Sequence, residues 1–388
     1  MKNRIESLAE KHFEAAVKLR RQIHANPELS WHETETAKLV AKTLSGLGLE
    51  VSTGIAKNGV VGILKGRSPE KKCIALRADM DALPITEENK VDYCSKNKGV
   101  MHACGHDVHT SNLLGVAMIL SDMRNEIEGT YKFIFQPSEE KIPSGAEAMI
   151  QAGVLENPKP DRILGLHVSP ELEAGTFGFC PGRFMASSDE IYLTVVGKGG
   201  HAARIEELKN PLLIAAEMLL ELKTLTNPQI PVVLSFGKIE GKGATNVVPD
   251  IVEIAGTLRC FDENLRNQLH RQIELICASV SEKYLTHCDV NILRGYPVLI
   301  NNEGLTNAAK ELAVDFIGSK NVLNLPVRLG SEDFAYYTHH VPACFYRLGT
   351  GNKKKGITSG IHTATFNVDE DALLHSMGVM AWLAVGLQ

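Results

Sequence analysis

Apolar residues recur at helical spacing from residue 5 to about residue 25 and stop near Asn26-Pro27, and a second helical pattern over about 33–47 ends at Gly48. The chain is therefore predicted to open with two helices. The spacing then shortens to buried-strand runs at 60–64 and 73–76, the second leading straight into Arg77-Ala78-Asp79-Met80-Asp81. Residues 111–120 read as an apolar helix. Residues 131–136 read as a buried strand running into Pro137-Ser138-Glu139-Glu140, and 163–166 as another strand with His167 directly after it. The recurring unit is a buried strand that delivers a polar residue to a common rim, and in an open α/β sheet ligands bind beyond the strand ends.

From about residue 189 the texture changes. Ile191, Leu193 and Val195 alternate with Tyr192, Thr194 and Val196, and helix 211–225, strands 232–239 and 251–260, and helix 262–283 follow. That order predicts a small α+β sandwich inserted as a unit. A helix at about 303–317, a strand at 343–348 and a last helix at about 369–386 return to the first pattern. The fold class is read as α/β, with one discontinuous domain, 1–186 and 299–388, interrupted by another over 187–298.

Composition narrows the function. At 388 residues, 44% hydrophobic and 22% charged, the chain is long enough for two cores. With 41 basic against 46 acidic residues, net −5, it has neither a basic footprint for nucleic acid nor a polybasic arm for a membrane, so a small-molecule substrate is expected. Lys353, Lys354 and Lys355 between Gly351 and Gly356 read as a solvated loop. No stretch reaches the roughly 18–20 apolar residues a membrane span needs, and the charged first segment is unlike a signal peptide, so a cytoplasmic location is expected. The eight cysteines lack the dense spacing of a disulfide framework.

The chemistry concentrates at Met101-His102-Ala103-Cys104-Gly105-His106-Asp107-Val108-His109, which packs three of the fourteen histidines and a cysteine into one loop-to-helix junction. Thiolate and imidazole are ligands that zinc and related divalent ions favour, and a glycine between them lets both face one centre. The alternative is a polar, helix-capping loop with a buried thiol. No second thiol pair stands at structural-zinc spacing, which favours an open site. Adjacent acids such as Glu139-Glu140 are usually solvated. At the end of an apolar strand, however, two carboxylates can divide the work of binding a metal and moving a proton.

The strings RADMDALPI, HACGHDVHT, FQPSEE, LGLHV, GKGGHAA, ATNVVPD, GTLR, GSEDFAYY and SGIHTATFNVDE resemble the amidohydrolase branch of the dinuclear-metal aminoacylase and carboxypeptidase family. That branch includes hippurate hydrolases, N-acetyldiaminopimelate deacetylases and plant auxin-conjugate hydrolases. The resemblance runs in order from about Arg20 to the final helix. It implies an exopeptidase-like α/β/α catalytic domain with an inserted lid and dimerisation domain. It also implies hydrolysis of the amide bond of an N-acyl amino acid or related conjugate, with a dipeptidase or carboxypeptidase on the same fold as the alternative. Cys104, His106, Glu140, His167 and His362 fall on the family's ligand positions for two divalent ions, zinc, manganese, cobalt or nickel, and Glu139 on its general base. Asp79 matches an acid treated as catalytic, whose work is to orient a ligand, and Asp81 could share it. His201 matches a histidine that the inserted domain supplies to the partner's site in a homodimer, and Asn246 and Arg259 match positions that hold the substrate's polar end.

Two departures accompany the resemblance. Lys141-Ile142-Pro143-Ser144-Gly145-Ala146 stands where the family commonly runs Gly-Pro-Gly-Gly-Ala, and Arg204-Ile205 stands where it has Pro-His. A metal or redox sensor built on Cys104 would leave Glu139 without a task. The glycines of 237–243 with Lys242 miss the spacing of a phosphate-binding loop.

Overall fold

In the computed structural model, which describes residues 1–226 and 232–388, the chain forms two compact units. The first comprises Met1–Phe184, Ile300–Pro326 and Asp333–Gln388, and the second Met185–Leu299 and Val327–Glu332. The stretch 327–332 thus stands with the second unit, whereas the sequence reading places it in the first. Its backbone accounts for this: Arg328 pairs with Met185, and Ala186 N–H donates to the carbonyls of Arg328 and Gly330.

Along the chain the first unit runs α1 (Lys2–Ala25), α2 (Thr34–Gly46), β1 (Glu50–Ile55), β2 (Gly59–Lys65), β3 (Cys73–Asp79), α3 (His106–Asp122), β4 (Thr130–Gln136), α4 (Gly145–Gln151), β5 (Arg162–Glu173), β6 (Phe177–Phe179) and β7 (Gly182–Met185). The second runs β8 (Asp189–Val196), β9 (Gly200–His201), α5 (Pro211–Lys223), β10 (Val232–Glu240), β11 (Val247–Val248), β12 (Ile251–Cys260), α6 (Glu263–Lys283) and β13 (His287–Arg294). Then follow β14 (Leu299–Asn301), α7 (Glu303–Ile317), β15 (Val322–Asn324), α8 (Ala335–Thr338), β16 (Ala343–Gly351) and α9 (Asp371–Gly386). Among the described residues no helix is long and apolar enough to cross a membrane.

Side-chain caps start several helices. Asn210 accepts from Leu212 N–H ahead of Pro211, Asp262 from Asn264 and Leu265 N–H, and Asn302 from Leu305 N–H.

The large sheet has the order β1-β2-β4-β3-β5-β16-β6-β15. β4, β3, β5 and β16 are mutually parallel, so their C-terminal ends share one rim. Alternation along these buried strands assigns the two faces. Leu76, Ala78, Leu164, Leu166, Val168, Tyr346 and Leu348 join the main core with residues of α1, α3, α7 and α9. Arg77, Asp79, Gly165, His167, Phe345 and Arg347 turn the other way, where a Cβ on Gly165 would strike Phe334 just before α8.

Among the elements that differ from the sequence reading, two bear on the sheet that carries the site. β1 is absent from it, because as an edge strand it is mostly exposed and carries no apolar alternation. β5 continues to Glu173, beyond the expected 166, because β16 keeps pairing with it past a register shift between Gly349 and Gly351. His167 therefore lies inside a strand and not after one.

The second unit is a four-stranded antiparallel sheet, β10-β12-β8-β13, whose inward Ile191, Leu193, Val195, Val252 and Ile254 pack with α5 and α6. β9 and β11 form a separate pair, His201 opposite Val247.

Candidate metal centre

The site is assembled at the shared rim of the first unit. The loop before α3 turns at Gly105, whose φ is +85° and where a Cβ would sit 2.5 Å from Val168 Cγ2. Only glycine meets both demands, and the turn lets Cys104 and His106 face the same space. Beyond β4 the chain turns at Ser138, φ +50°, and closes a loop in which Gly145 N–H donates to Ser138 O at 2.8 Å. A Cβ on Gly145 would lie 1.6 Å from Pro137 O. His362, φ +61°, is pinned beside the thiol loop by its own N–H on Ala103 O at 2.7 Å.

Cys104 Sγ lies 3.3 Å from His167 Nε2 and 3.3 Å from His362 Nε2. Glu140 Oε1 is 3.2 Å from His362 Nε2 and 3.9 Å from His106 Nε2, and Glu139 Oε2 is 4.0 Å from His106 Nε2. Candidate ligand atoms of Cys104, His106 and His167 lie within 4.8 Å of one another, and so do those of Cys104, Glu140 and His362. All of these residues are buried or nearly so except His362, whose side chain is half-exposed.

The outer ring nitrogens are committed. His106 Nδ1 meets Asp81 Oδ1 at 3.1 Å and His167 Nδ1 meets Val168 O at 2.7 Å, so each ring turns its Nε2 into the cluster. Among the described residues His106 Nε2 is buried with no hydrogen-bond partner, a state that costs about 1–3 kcal/mol. Thiol, imidazole and carboxylate donors around an orphaned inward ring nitrogen fit divalent cations.

The charges point the same way. Burial, together with Glu140 and Glu139, pushes the Cys104 thiol well above its ordinary value. Burial and the Arg347 guanidinium hold His167 well below its own. Burial opposes charge on His106, but Asp79 and Asp81 outweigh it and carry it up to about 10. Burial likewise opposes charge on Asp79, yet His106, His109 and Arg77 keep its pKa well below the usual carboxylate range.

His109 sits among these groups but is fully occupied: Nδ1 faces Asp79 Oδ1 at 2.6 Å and Nε2 accepts from Val168 N–H at 3.0 Å. It ties the end of β3 to β5 and has no lone pair left for a metal.

The structure thus brings Asp79, Asp81, Cys104, His106, Glu139, Glu140, His167 and His362 together. His201, Asn246 and Arg259 lie in the second unit. There His201 and Asn246 are neighbours, Ala202 N–H donating to Asn246 O at 3.0 Å, and His201 Nδ1 accepts from Ala203 N–H at 3.2 Å. Arg259 spends one nitrogen on Leu329 O at 3.0 Å. Sequence reasoning missed Glu33, Gln136, Asp333 and Arg347. Glu33 reads locally as part of a helix start, yet its Oε1 accepts Ser138 N–H at 2.8 Å. A partner 105 positions away leaves no mark on spacing.

His102, fully buried with neither ring nitrogen hydrogen-bonded, has its pKa carried by burial from 6.5 down to about 4. The unfolded chain protonates this ring near 6.5 while the folded chain refuses the proton. The ring's contribution to stability is therefore complete above that pH and is lost as pH falls toward 4, by about 3 kcal/mol. His24 and His106, both raised, are protonated in both states below 6.5 and add no slope there, whereas His109 and His167, both lowered by burial, add to the same fall. In excess chelator, His102→Gln is expected to lessen the fall in urea-unfolding free energy over this window, and equal slopes for both proteins would overturn the assignment.

The family profile of Peptidase family M20/M25/M40 matches residues 75–385. A thermostable carboxypeptidase 2 of Saccharolobus solfataricus is 39% identical over 94% of this chain and 93% of its own length. An N-acetyl-L-cysteine deacetylase of Bacillus subtilis is 36% identical over 92% of this chain and 84% of its own. Among solved structures, a dinuclear metal-binding peptidase of the M20 family from Bacillus subtilis superposes with a TM-score of 0.83 at 32% identity, covering 97% of this chain and 98% of that one. A rim that gathers thiol, imidazole and carboxylate donors thus sits on a fold and sequence shared along nearly the whole chain, which belongs to peptidase family M20/M25/M40 and is a metal-dependent hydrolase of that family.

Proposed function

We propose that the enzyme hydrolyses the amide bond of an N-acyl amino acid or related conjugate. In this reading Cys104, His106, Glu140, His167 and His362 hold two divalent ions, of zinc, manganese, cobalt or nickel, and Glu139 is the general base. The observation that carries it is the convergence of those five donors with a further buried carboxylate, Glu139, 4.0 Å from His106 Nε2. When bound, the ions supply Lewis acidity toward the scissile carbonyl and make a water acidic enough to lose a proton at neutral pH. Glu139 takes that proton on a carboxylate oxygen as hydroxide adds to the carbonyl carbon. It then delivers the proton to the amide nitrogen as the C–N bond breaks, so that a free acid and an amine depart. Asp79 and Asp81 hold His109 and His106 in place.

His201 is read as an oxyanion donor, acting from a partner subunit of a homodimer built through the second unit. A well-placed donor contributes about 3–4 kcal/mol to the transition state. Asn246 and Arg259 are read as holding the substrate's polar end. Mixing inactive His201→Ala with inactive Glu139→Gln subunits is expected to restore part of the activity, and no recovery despite demonstrated subunit exchange would exclude action in trans. A reduced thiol at position 104 suits the cytoplasm.

The likeness to a carboxypeptidase keeps peptide cleavage as the second reading. Turnover of N-acetyl and N-benzoyl amino acids, dipeptides and C-terminal peptide residues, each with zinc, manganese, cobalt and nickel, separates the two. Preference for dipeptides or peptides over every N-acyl amino acid would overturn the first.

A further inference from the structure

Asp333 is the residue at which the chain returns from the second unit to the first. It is fully buried, and its carboxylate collects donors from segments nearly two hundred or more positions away. Oδ1 accepts from Arg77 Nη2 at 2.7 Å and Gln136 Nε2 at 2.9 Å. Oδ2 accepts from Gln136 Nε2 at 2.8 Å, Ser144 Oγ at 2.7 Å and Ala146 N–H at 3.0 Å.

Each of those donors either bonds a site residue or flanks the loop that carries Glu139 and Glu140. Arg77 turns its other terminal nitrogen, Nη1, onto Asp79 Oδ2 at 2.7 Å. Gln136 ends β4, immediately before Pro137-Ser138-Glu139-Glu140. Ser144 and Ala146 stand at the far end of the same loop, and Ser144 also caps α4 through Glu147 N–H at 3.2 Å. A single carboxylate therefore grips the Glu139-Glu140 loop at both ends. Between those ends Glu33 takes Ser138 N–H at 2.8 Å and Asp81 takes Glu140 N–H at 3.0 Å.

We infer that Asp333, with Arg77 as its counter-charge, is the positioning residue that fixes where Glu139 and Glu140 stand, and that Ser144 is part of the grip. The inference rests on the reading of Glu139 as base. The Ser144 hydroxyl gives the buried carboxylate a partner that a glycine at that position would lack. A buried carboxylate is tolerated only when paired and hydrogen-bonded, and Arg77 supplies the charge while the loop supplies the donors. An amide in its place cannot serve. Whichever way the side chain introduced by Asp333→Asn were turned, its NH2 would face either the Arg77 guanidinium or the Ser144 hydroxyl and Ala146 N–H, and Gln136 donates to both oxygens.

The test compares Asp333→Asn, Ser144→Ala and Ser144→Thr with wild type. In metal-replete enzyme, Asp333→Asn is expected to lower kcat about 10–100-fold with KM within about threefold, since a misplacement near 1 Å costs about that much. Ser144→Ala should lose about 3–10-fold, and Ser144→Thr, which keeps the hydroxyl, should recover most of it. The double variant Asp333→Asn with Ser144→Ala should be no worse than Asp333→Asn alone, because the two act through one contact. In metal-free protein, amide hydrogen exchange over residues 137–147 should quicken at least about tenfold in Asp333→Asn and less in Ser144→Ala.

Folded, metal-replete Asp333→Asn with kcat within about twofold of wild type and unchanged exchange would overturn the inference. If Asp333→Asn does not fold, the Ser144 pair decides: equal kcat and equal exchange for Ala and Thr would overturn it. A Glu139→Gln enzyme that stays active would instead sink the reading of the base, while the exchange measurement would still report on the grip.

Discussion

Glu139→Gln is expected to leave metal bound and to lower kcat by about a thousandfold or more. The substitution keeps size and hydrogen-bonding shape but removes the one capacity the mechanism needs, since an amide oxygen does not hold a proton at neutral pH. Positioned acid–base groups contribute about 10²–10⁴-fold, and in the proposed mechanism one residue serves both as base toward water and as acid toward the leaving nitrogen. The contrasting variant is Glu140→Gln. Glu140 Oε1 points at His362 Nε2 and His106 Nε2, so its loss should appear first as lost metal. Metal counts by mass spectrometry beside single-turnover rates separate the two outcomes. Glu139→Gln retaining a tenth of wild-type turnover, or losing its metal, would remove Glu139 from the role of base.

The legible part of the site is the part that is local. Cys104, Gly105 and His106 announce themselves because one turn presents both donors, and that turn needs the glycine it has. Glu139-Glu140 is conspicuous because a buried strand ends just before it. The parallel strands β3, β4 and β5 are visible as apolar runs, and the second unit as a change to alternation, since those patterns follow directly from which face is buried. His167 stands out in the sequence for its place at a strand's end, whereas β5 runs on to Glu173; the extra residues pair with β16, which sequence spacing cannot report.

The same holds for the groups that keep the cluster in shape. Glu33, Arg77, Gln136 and Asp333 act across separations of 59 to 256 positions, and only the fold brings them together. His109 shows the converse. Its spacing from His106 invites a metal-ligand reading, and the structure commits both of its nitrogens to Asp79 and Val168.

Removal of metal is expected to abolish turnover, with full recovery on return of at least one of zinc, manganese, cobalt or nickel, and the affinity of that return should depend steeply on pH. The sign follows from the metal-free charges. The Cys104 thiol lies well above its ordinary pKa because of burial and the neighbouring Glu140 and Glu139, so at neutral pH it carries a proton that a cation must displace. His106, raised to about 10 by Asp79 and Asp81 against its burial, carries a second. Each displaced proton tightens binding about tenfold for every unit that pH rises below these values, so affinity falls toward acid and rises toward base. Cys104→Ser should weaken binding by at least about a hundredfold, since a serine hydroxyl is not deprotonated as a thiol is, whereas Cys104→Asp keeps an anionic donor and should recover part of the loss. Calorimetric titration of metal-free protein, in buffers of different ionisation enthalpy and at two pH values, counts the protons directly. Uptake without proton release, or undiminished activity after chelation to less than about a tenth of an equivalent of metal, would show that the rim at Cys104, His106 and His167 is not where the reaction is carried out.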